Sequence, residues 1–281
     1  MTTAATIHPL RLATPLALFF TLFFAIPLVL LLGVSLQTGE GGTLGLTQYA
    51  RFFADGLGGR VLFRTLLIGL ETTLGCLLLG YPLALMYRNA PGWGRSAITL
   101  VVLLPLLTSV VVRTFAWIVI LGRQGLINTT LQSMGWIDTP LRLLYTEGGL
   151  IVALTQVQLP LMFLPLAGTL ARIPPNLEDA SAALGAGAWR TFVRVTLPLS
   201  VPGALAGCTL TFAAAVTAFI TQSLVGGGQM LLMPSYIYQQ AISLQNWPFA
   251  AAISMVFLAA VLAVLALIAA LGRLARGAAH V

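Results

Sequence analysis

Two neighbouring carboxylates, Glu178 and Asp179, open the one long polar stretch of this chain, Asn176 to Pro198 (NLEDASAALGAGAWRTFVRVTLP). Carboxylates in the first turn of a helix are stabilised by the positive end of its dipole, and side chains left exposed there offer charge to a partner surface. Elsewhere, charge inside apolar sequence is scarce. Glu71 and Arg113 each stand within long apolar runs, where a charge is costly and faces a bundle interior or a wet cavity. Both are read as lining a path through the bundle or pairing within it, against a purely structural ion pair or an arginine that snorkels outward. Thr209, Ala213, Thr217 and Thr221 recur every four residues and so share one helical face. That small, weakly polar stripe suits the wall of a solute passage; the competing reading is that the hydroxyls bond back to their own helix.

Bond-making chemistry has no candidate residues. The histidines are His8 and His280 alone, and Cys76 and Cys208 lie in apolar runs without ligand spacing, as small packed residues. There is no GxxxxGK[ST] phosphate loop, no Ser/His/Asp set and no metal-ligand cluster. The expectation is a chain that is not an enzyme and holds no cofactor.

The elements that must position these groups are membrane helices. Hydrophobic residues make up 58% and charged residues 7% of the 281, with a mean hydropathy of +0.97, against about 25% charged in soluble domains. Six runs are long enough for the roughly 20 helical residues a bilayer crossing needs: about 15–36, 62–87, 97–121, 149–170, 199–221 and 248–271. Helices satisfy every backbone group within one segment, so the fold class is an all-α integral membrane protein forming one transmembrane domain over residues 1–281. The run from Pro15 to Leu36 is longer than a signal-peptide core of about 7 to 15 residues and reads as a retained span.

All 14 basic residues are arginines, giving a net charge of +7. They are scattered among short loops with no basic run, so nucleic acid is not an expected partner. With the N-terminus inside, Arg11, Arg88, Arg95, Arg172, Arg190, Arg194, Arg273 and Arg276 fall on the cytoplasmic side. Arg51, Arg60, Arg123 and Arg142 fall outside, with Arg64 at the outer end of a span. The positive-inside rule then places both termini, and the polar stretch within loop 171–198, in the cytoplasm.

Within that loop, Pro174 and Pro175 end the fourth span and Asn176 stands where an N-cap belongs. Gly185 and Gly187 supply the stop, leaving a helix too short to be stable alone in water. It needs a surface to dock on, and its face of Ala180, Ala183 and Leu184 is small and apolar. A second short helix is expected from Trp189 to Val195, ending as Leu197-Pro198 leads into the fifth span. An interfacial helix lying on the membrane is the alternative, but such helices carry larger apolar faces than these alanines.

Asp179-Ala180-Ser181, three residues, Gly185, nine residues, then Val195-Thr196-Leu197-Pro198 resembles the EAA loop of ATP-binding-cassette (ABC) importer permeases. Further fragments are similar to the B-type permease of spermidine/putrescine importers: Pro105 to Ser109, Arg113-Thr114, Arg123 to Asn128, Asp138-Thr139-Pro140 and Asn246 to Ala251. The resemblance implies a type I ABC importer permease fold in a bacterial inner membrane. It makes Glu178, Asp179, Ala180, Ser181, Ala183, Leu184, Gly185, Leu197 and Pro198 the segment that couples to an ATPase. It further implies two ATPase subunits that bind ATP and Mg, a second, related permease rather than an identical copy, and a periplasmic binding protein received partly by segment 122–148. The solute it implies is a polyamine or an amino-acid-like compound. No Asp or Glu occurs from 180 to 281, where a polycation path would be expected to show them. A secondary transporter would instead need inverted repeats and several charged coupling residues, and a membrane enzyme would need clustered reactive groups.

Overall fold

The computed structural model describes residues 9–38 and 43–277. These divide into two compact units: the described residues up to Gly59 with Ile237–Ala259, and Arg60–Tyr236 with those from Ala260 onward.

The first unit opens with α1 (Pro9–Phe20), a π turn (Thr21–Ala25) and α2 (Ile26–Ser35). The π turn closes through the Ile26 N–H to the Thr21 carbonyl, directly before Pro27. A wider turn there takes up the irregularity that proline, lacking an N–H, forces on a helix. The side chains of Thr14–Ser35 face outward along its most apolar window. A two-residue pairing, β1 (Gln37–Thr38) against β2 (Thr43–Leu44), leads to α3 (Thr47–Ala54). Phe52 of α3 is buried, the Tyr49 hydroxyl lies 2.7 Å from the Ser35 hydroxyl, and the Arg51 guanidinium sits 4.3 Å over the Phe249 ring. Its aromatic face is thus docked against protein, while Phe53 faces out.

The second unit holds most of α4 (Leu57–Asn89), then α5 (Gly92–Leu107), α6 (Val110–Leu121), α7 (Leu126–Ser133), α8 (Glu147–Leu170), α9 (Pro175–Ala183), α10 (Ala188–Thr191), α11 (Leu197–Val216), α12 (Phe219–Gly226) and α13 (Met233–Tyr238). The last helix, α14, spans Trp247–Gly277. Helix α8 is the core element, with Leu150, Leu154, Met162, Phe163, Leu166 and Leu170 almost inaccessible. Helix α11 lies along it at close range: a Cβ added at Gly207 would stand 2.9 Å from the Met162 carbonyl oxygen, and at Gly203 2.7 Å from that of Pro165. Without a hydrophobic force between lipid-facing helices, such small-residue contacts supply the packing. Cys76 is buried in this core with its thiol 3.3 Å from the Thr155 carbonyl, and Cys208 packs at its edge.

Among the described residues, six helical stretches are long and apolar enough to cross a membrane. Three details differ from the sequence reading. The run 97–121 is two helices, interrupted by extended Thr108 and Ser109. The run 199–221 likewise breaks at Thr217 and Ala218. Hydropathy is blind to both because one or two hydroxyl residues hardly lower the mean of a whole span; the freed carbonyls are met locally. Thr108 Oγ1 and the Arg113 guanidinium donate to the Pro105 carbonyl, and the Gln222 amide donates to Ala215 and Val216 at 2.9 and 3.3 Å. Third, Leu197-Pro198 does not end a helix: α10, a π turn (Phe192–Thr196) and α11 run on as one path, the π turn again standing just before the proline.

Candidate functional site

The polar stretch folds as a bracket at the end of the bundle where α4 and α8 finish and α11 begins. Helix α9 starts two residues earlier than expected, with Pro174 at the N-cap, Pro175 in its first turn and no side-chain cap from Asn176, because proline's preset φ favours that position and its missing N–H costs nothing there. It ends at a left-handed Gly185 (φ +79°), with Gly185 N–H bonded to Ala182 O at 2.9 Å and Ala186 N–H to Ser181 O at 3.1 Å. That pair of bonds is the Schellman arrangement, which a residue with a Cβ enters only with strain.

Glu178 is turned inward. Its Oε1 accepts from Arg88 Nη1, at the end of α4, at 2.5 Å and from Thr196 Oγ1, in the π turn, at 2.7 Å. A second Arg88 nitrogen lies 3.5 Å from the Ile173 carbonyl, and Arg95 Nη2 donates to the Arg88 carbonyl at 2.8 Å. The hydroxyls of Ser181 and Thr191, 2.9 Å apart, join α9 to α10. Glu178 therefore ties the short helix to the ends of two long ones. Asp179, Ala180, Ala183 and Leu184 remain on the surface, Leu184 at 89% exposure, with Trp189 also bare at 76%. Leu197 and Pro198 lie apart from that surface, in the first turn of α11. Arg88 and Thr196 were not singled out from the sequence. The readable signal was the assignment of Arg88 to the same membrane side as the loop, facing an acid that needed a partner.

The Arg88 bond, aided by Thr196 and opposed by partial burial, holds the Glu178 carboxyl below the ordinary glutamate value. A lowered folded-state value means that this contribution is fully present above the unfolded pKa, about 4.3, and is lost as pH falls through the folded one. The thermal midpoint of the purified chain should therefore drop more steeply below about pH 4 than that of Glu178→Gln; parallel curves would refute the link.

Of the residues proposed to line a path, three meet and two do not. Arg113, Thr217 and Thr221 border one cavity of about 490 Å³ between the ends of α5 and α11, the starts of α6 and α12, and the middle of α8, together with Gln158 and Phe219. The helix break separates Thr221 from the threonine stripe; it is buried, 3.3 Å from the Thr114 hydroxyl. Thr209 and Thr217 donate to the carbonyls four residues back, Leu205 and Ala213, at 2.8 and 2.7 Å. Glu71 is exposed on α4 and does not line the cavity. Among the described residues the ion pairs are Arg88–Glu178 and Arg64–Glu147, so Glu71 and Arg113 do not pair. A second cavity of about 390 Å³, between α4, α5 and α8, is walled almost wholly by hydrocarbon and has little to orient a polar solute.

A membrane bundle with a bracketed short helix at one end and a cavity carrying a few polar side chains, Arg113, Gln158, Thr217 and Thr221, in its middle suits a transport protein. Residues 76–276 match the family described as the binding-protein-dependent transport system inner membrane component, and the chain belongs to that family. It is a non-catalytic inner-membrane permease component of a binding-protein-dependent transport system. It is 33% identical over 239 residues to the spermidine/putrescine transport system permease protein PotB of Escherichia coli K12, covering 83% of this chain and 86% of that one. It is 33% identical over 208 residues to the inner membrane ABC transporter permease protein YdcU of E. coli K12 (70% and 66% covered). With PhnU of Salmonella typhimurium LT2, named for 2-aminoethylphosphonate transport, it shares 30% over 255 residues (90% and 88%). The bacterial ABC transporter crystallised with an alginate-loaded periplasmic protein has the same fold, with a TM-score of 0.78 at 19% identity, covering 95% of this chain and 94% of that chain.

Proposed function

We propose that this permease supplies half of the pathway for a small amine-bearing organic solute, with a related but distinct permease supplying the other half. The solute is a polyamine or an amino-acid-like compound; likeness to PotB supports the first. Two ATPase subunits bind ATP and Mg and seat the α9 bracket, which with both termini lies in the cytoplasm. Their closure moves α9, and the bundle opens outward to take solute from the binding protein. The observation that carries the coupling role is the division of labour on α9: Glu178 bonded inward to the long helices, Leu184 and its alanine neighbours left bare. Copurification of tagged chain with an ATPase and a second permease, and uptake that requires ATP hydrolysis, is the expected result. Concentrative uptake by this chain alone without nucleotide would overturn it.

A further inference from the structure

We infer that the 490 Å³ cavity is a solute site for an acidic group, a carboxylate or phosphonate, and that this half of the pathway rejects a bare polycation. The inference rests on the permease reading and narrows its solute class. Both helix breaks open onto this one cavity, so the first turns of α6, at Val110, and of α12, at Phe219, both border it. Each first turn lies at the positive end of a helix dipole, which favours anions, although the Phe219 N–H itself is taken by the Thr217 carbonyl at 2.8 Å. Discontinuous helices at mid-membrane use their N-termini in this way toward anionic substrate groups.

Two side chains point to a ligand independently of the helix ends. Gln158, on α8, is only 8% exposed, yet its amide forms no hydrogen bond and lies on the cavity wall. Its polar atoms are not sealed off but open to the cavity, where a solute oxygen or nitrogen would supply the partner the protein does not. Arg113 uses one donor of its guanidinium on the Pro105 carbonyl, while its Nε–H is buried and unmatched. No Asp or Glu is among the lining residues. Arg113 is the one charged residue on the cavity wall, and of the carbonyls freed at the ends of α5 and α11, Pro105 is met by Thr108 and Arg113 and Ala215 and Val216 by Gln222, while Gln158 accepts either polarity. A protonated amine entering alone would meet repulsion and no carboxylate. A solute that carries an acid beside its amine would place the acid against Arg113 and the two helix starts, leaving the amine for the partner permease.

The test uses the purified complex of this chain with its permease and ATPase partners, without binding protein, titrated calorimetrically with glutamate, 2-aminoethylphosphonate and spermidine. Binding of at least one acid, and none of spermidine, is expected. Arg113→Leu should weaken the acid by about tenfold or more and Gln158→Leu by about tenfold, the losses typical of bonds to charged and neutral groups. Arg113→Lys should retain part of the affinity. If Arg113→Leu fails to assemble through loss of its Pro105 contact, Gln158→Leu decides alone. Binding of spermidine but neither acid, binding of none of the three, or acid binding untouched by Gln158→Leu would each overturn the inference. Those outcomes, in a complex that still assembles and hydrolyses ATP, leave the permease reading intact; failure to assemble with an ATPase removes that reading itself.

Discussion

Replacing Leu184 by aspartate should abolish ATP-driven uptake and strip the ATPase from the purified complex while leaving this chain folded in the membrane. Leu184 sits at the C-cap of α9, 89% exposed, immediately before the left-handed Gly185. It has almost no contact within the chain to lose, and substitutions at such sites change stability by about 0.5 kcal/mol or less. Docked in a groove, the same side chain would contribute about 1.5–3 kcal/mol by burial, and a carboxylate put there unpaired adds a desolvation cost of several more. Together these predict at least a hundredfold loss of ATPase association, measured by pull-down and by nucleotide-dependent uptake in proteoliposomes. A thermal midpoint close to that of the parent chain would confirm that the lesion is at the surface. Full retention of the ATPase would show that the bare face of α9 is not where the motor binds.

Much of this architecture was legible because a membrane reduces folding to a few strong rules. Apolar runs of sufficient length announce helices, and the Pro174-Pro175 and Gly185 pair announced a short helix between two long ones. Interruptions inside the runs were not legible. Thr108-Ser109 and Thr217-Ala218 carry no proline or glycine, and what permits the breaks is Arg113 and Gln222 reaching carbonyls several residues away. For the same reason the threonine stripe does not keep one face to its end: a four-residue spacing implies one face only while the helix lasts, and it stops at Val216, before Thr221. Proline misled at Leu197-Pro198, where a π turn widens the backbone and the helix continues. Glu71 and Arg113 were read together because each stands within a long apolar run, which fixes little beyond depth. Depth leaves rotation about the helix axis free, and Glu71 lies exposed on α4 while Arg113 borders the cavity. The inward turn of Glu178 was hidden for a similar reason. Its first-turn position suits a carboxylate whatever it faces, and only the tertiary arrangement brings Arg88 from ninety residues away.

Exchanging the charges of Arg88 and Glu178 provides the second large effect. Arg88→Ala should leave α9 held by the Thr196 and Ser181–Thr191 contacts alone, so the complex still assembles and hydrolyses ATP while uptake per ATP falls about tenfold. The size follows from the bond: a charge-assisted hydrogen bond contributes about 1.5–3 kcal/mol, and the side chains here, 13% and 33% exposed, place it toward the lower end. Glu178→Arg alone should be worse, since it sets two guanidinium groups against each other at the end of α4. The double exchange, Arg88→Glu with Glu178→Arg, should recover part of the coupled uptake, because it restores attraction between α4 and α9 although Thr196 Oγ1 loses its acceptor. Recovery in the double variant is the measurement that separates a transmitting contact from a merely stabilising one, provided ATPase rate and uptake are read on the same preparation. Single variants that hydrolyse ATP and transport at the parent ratio would mean that α9 moves the bundle through the continuous helix of α10 and α11, with Arg88 a bystander.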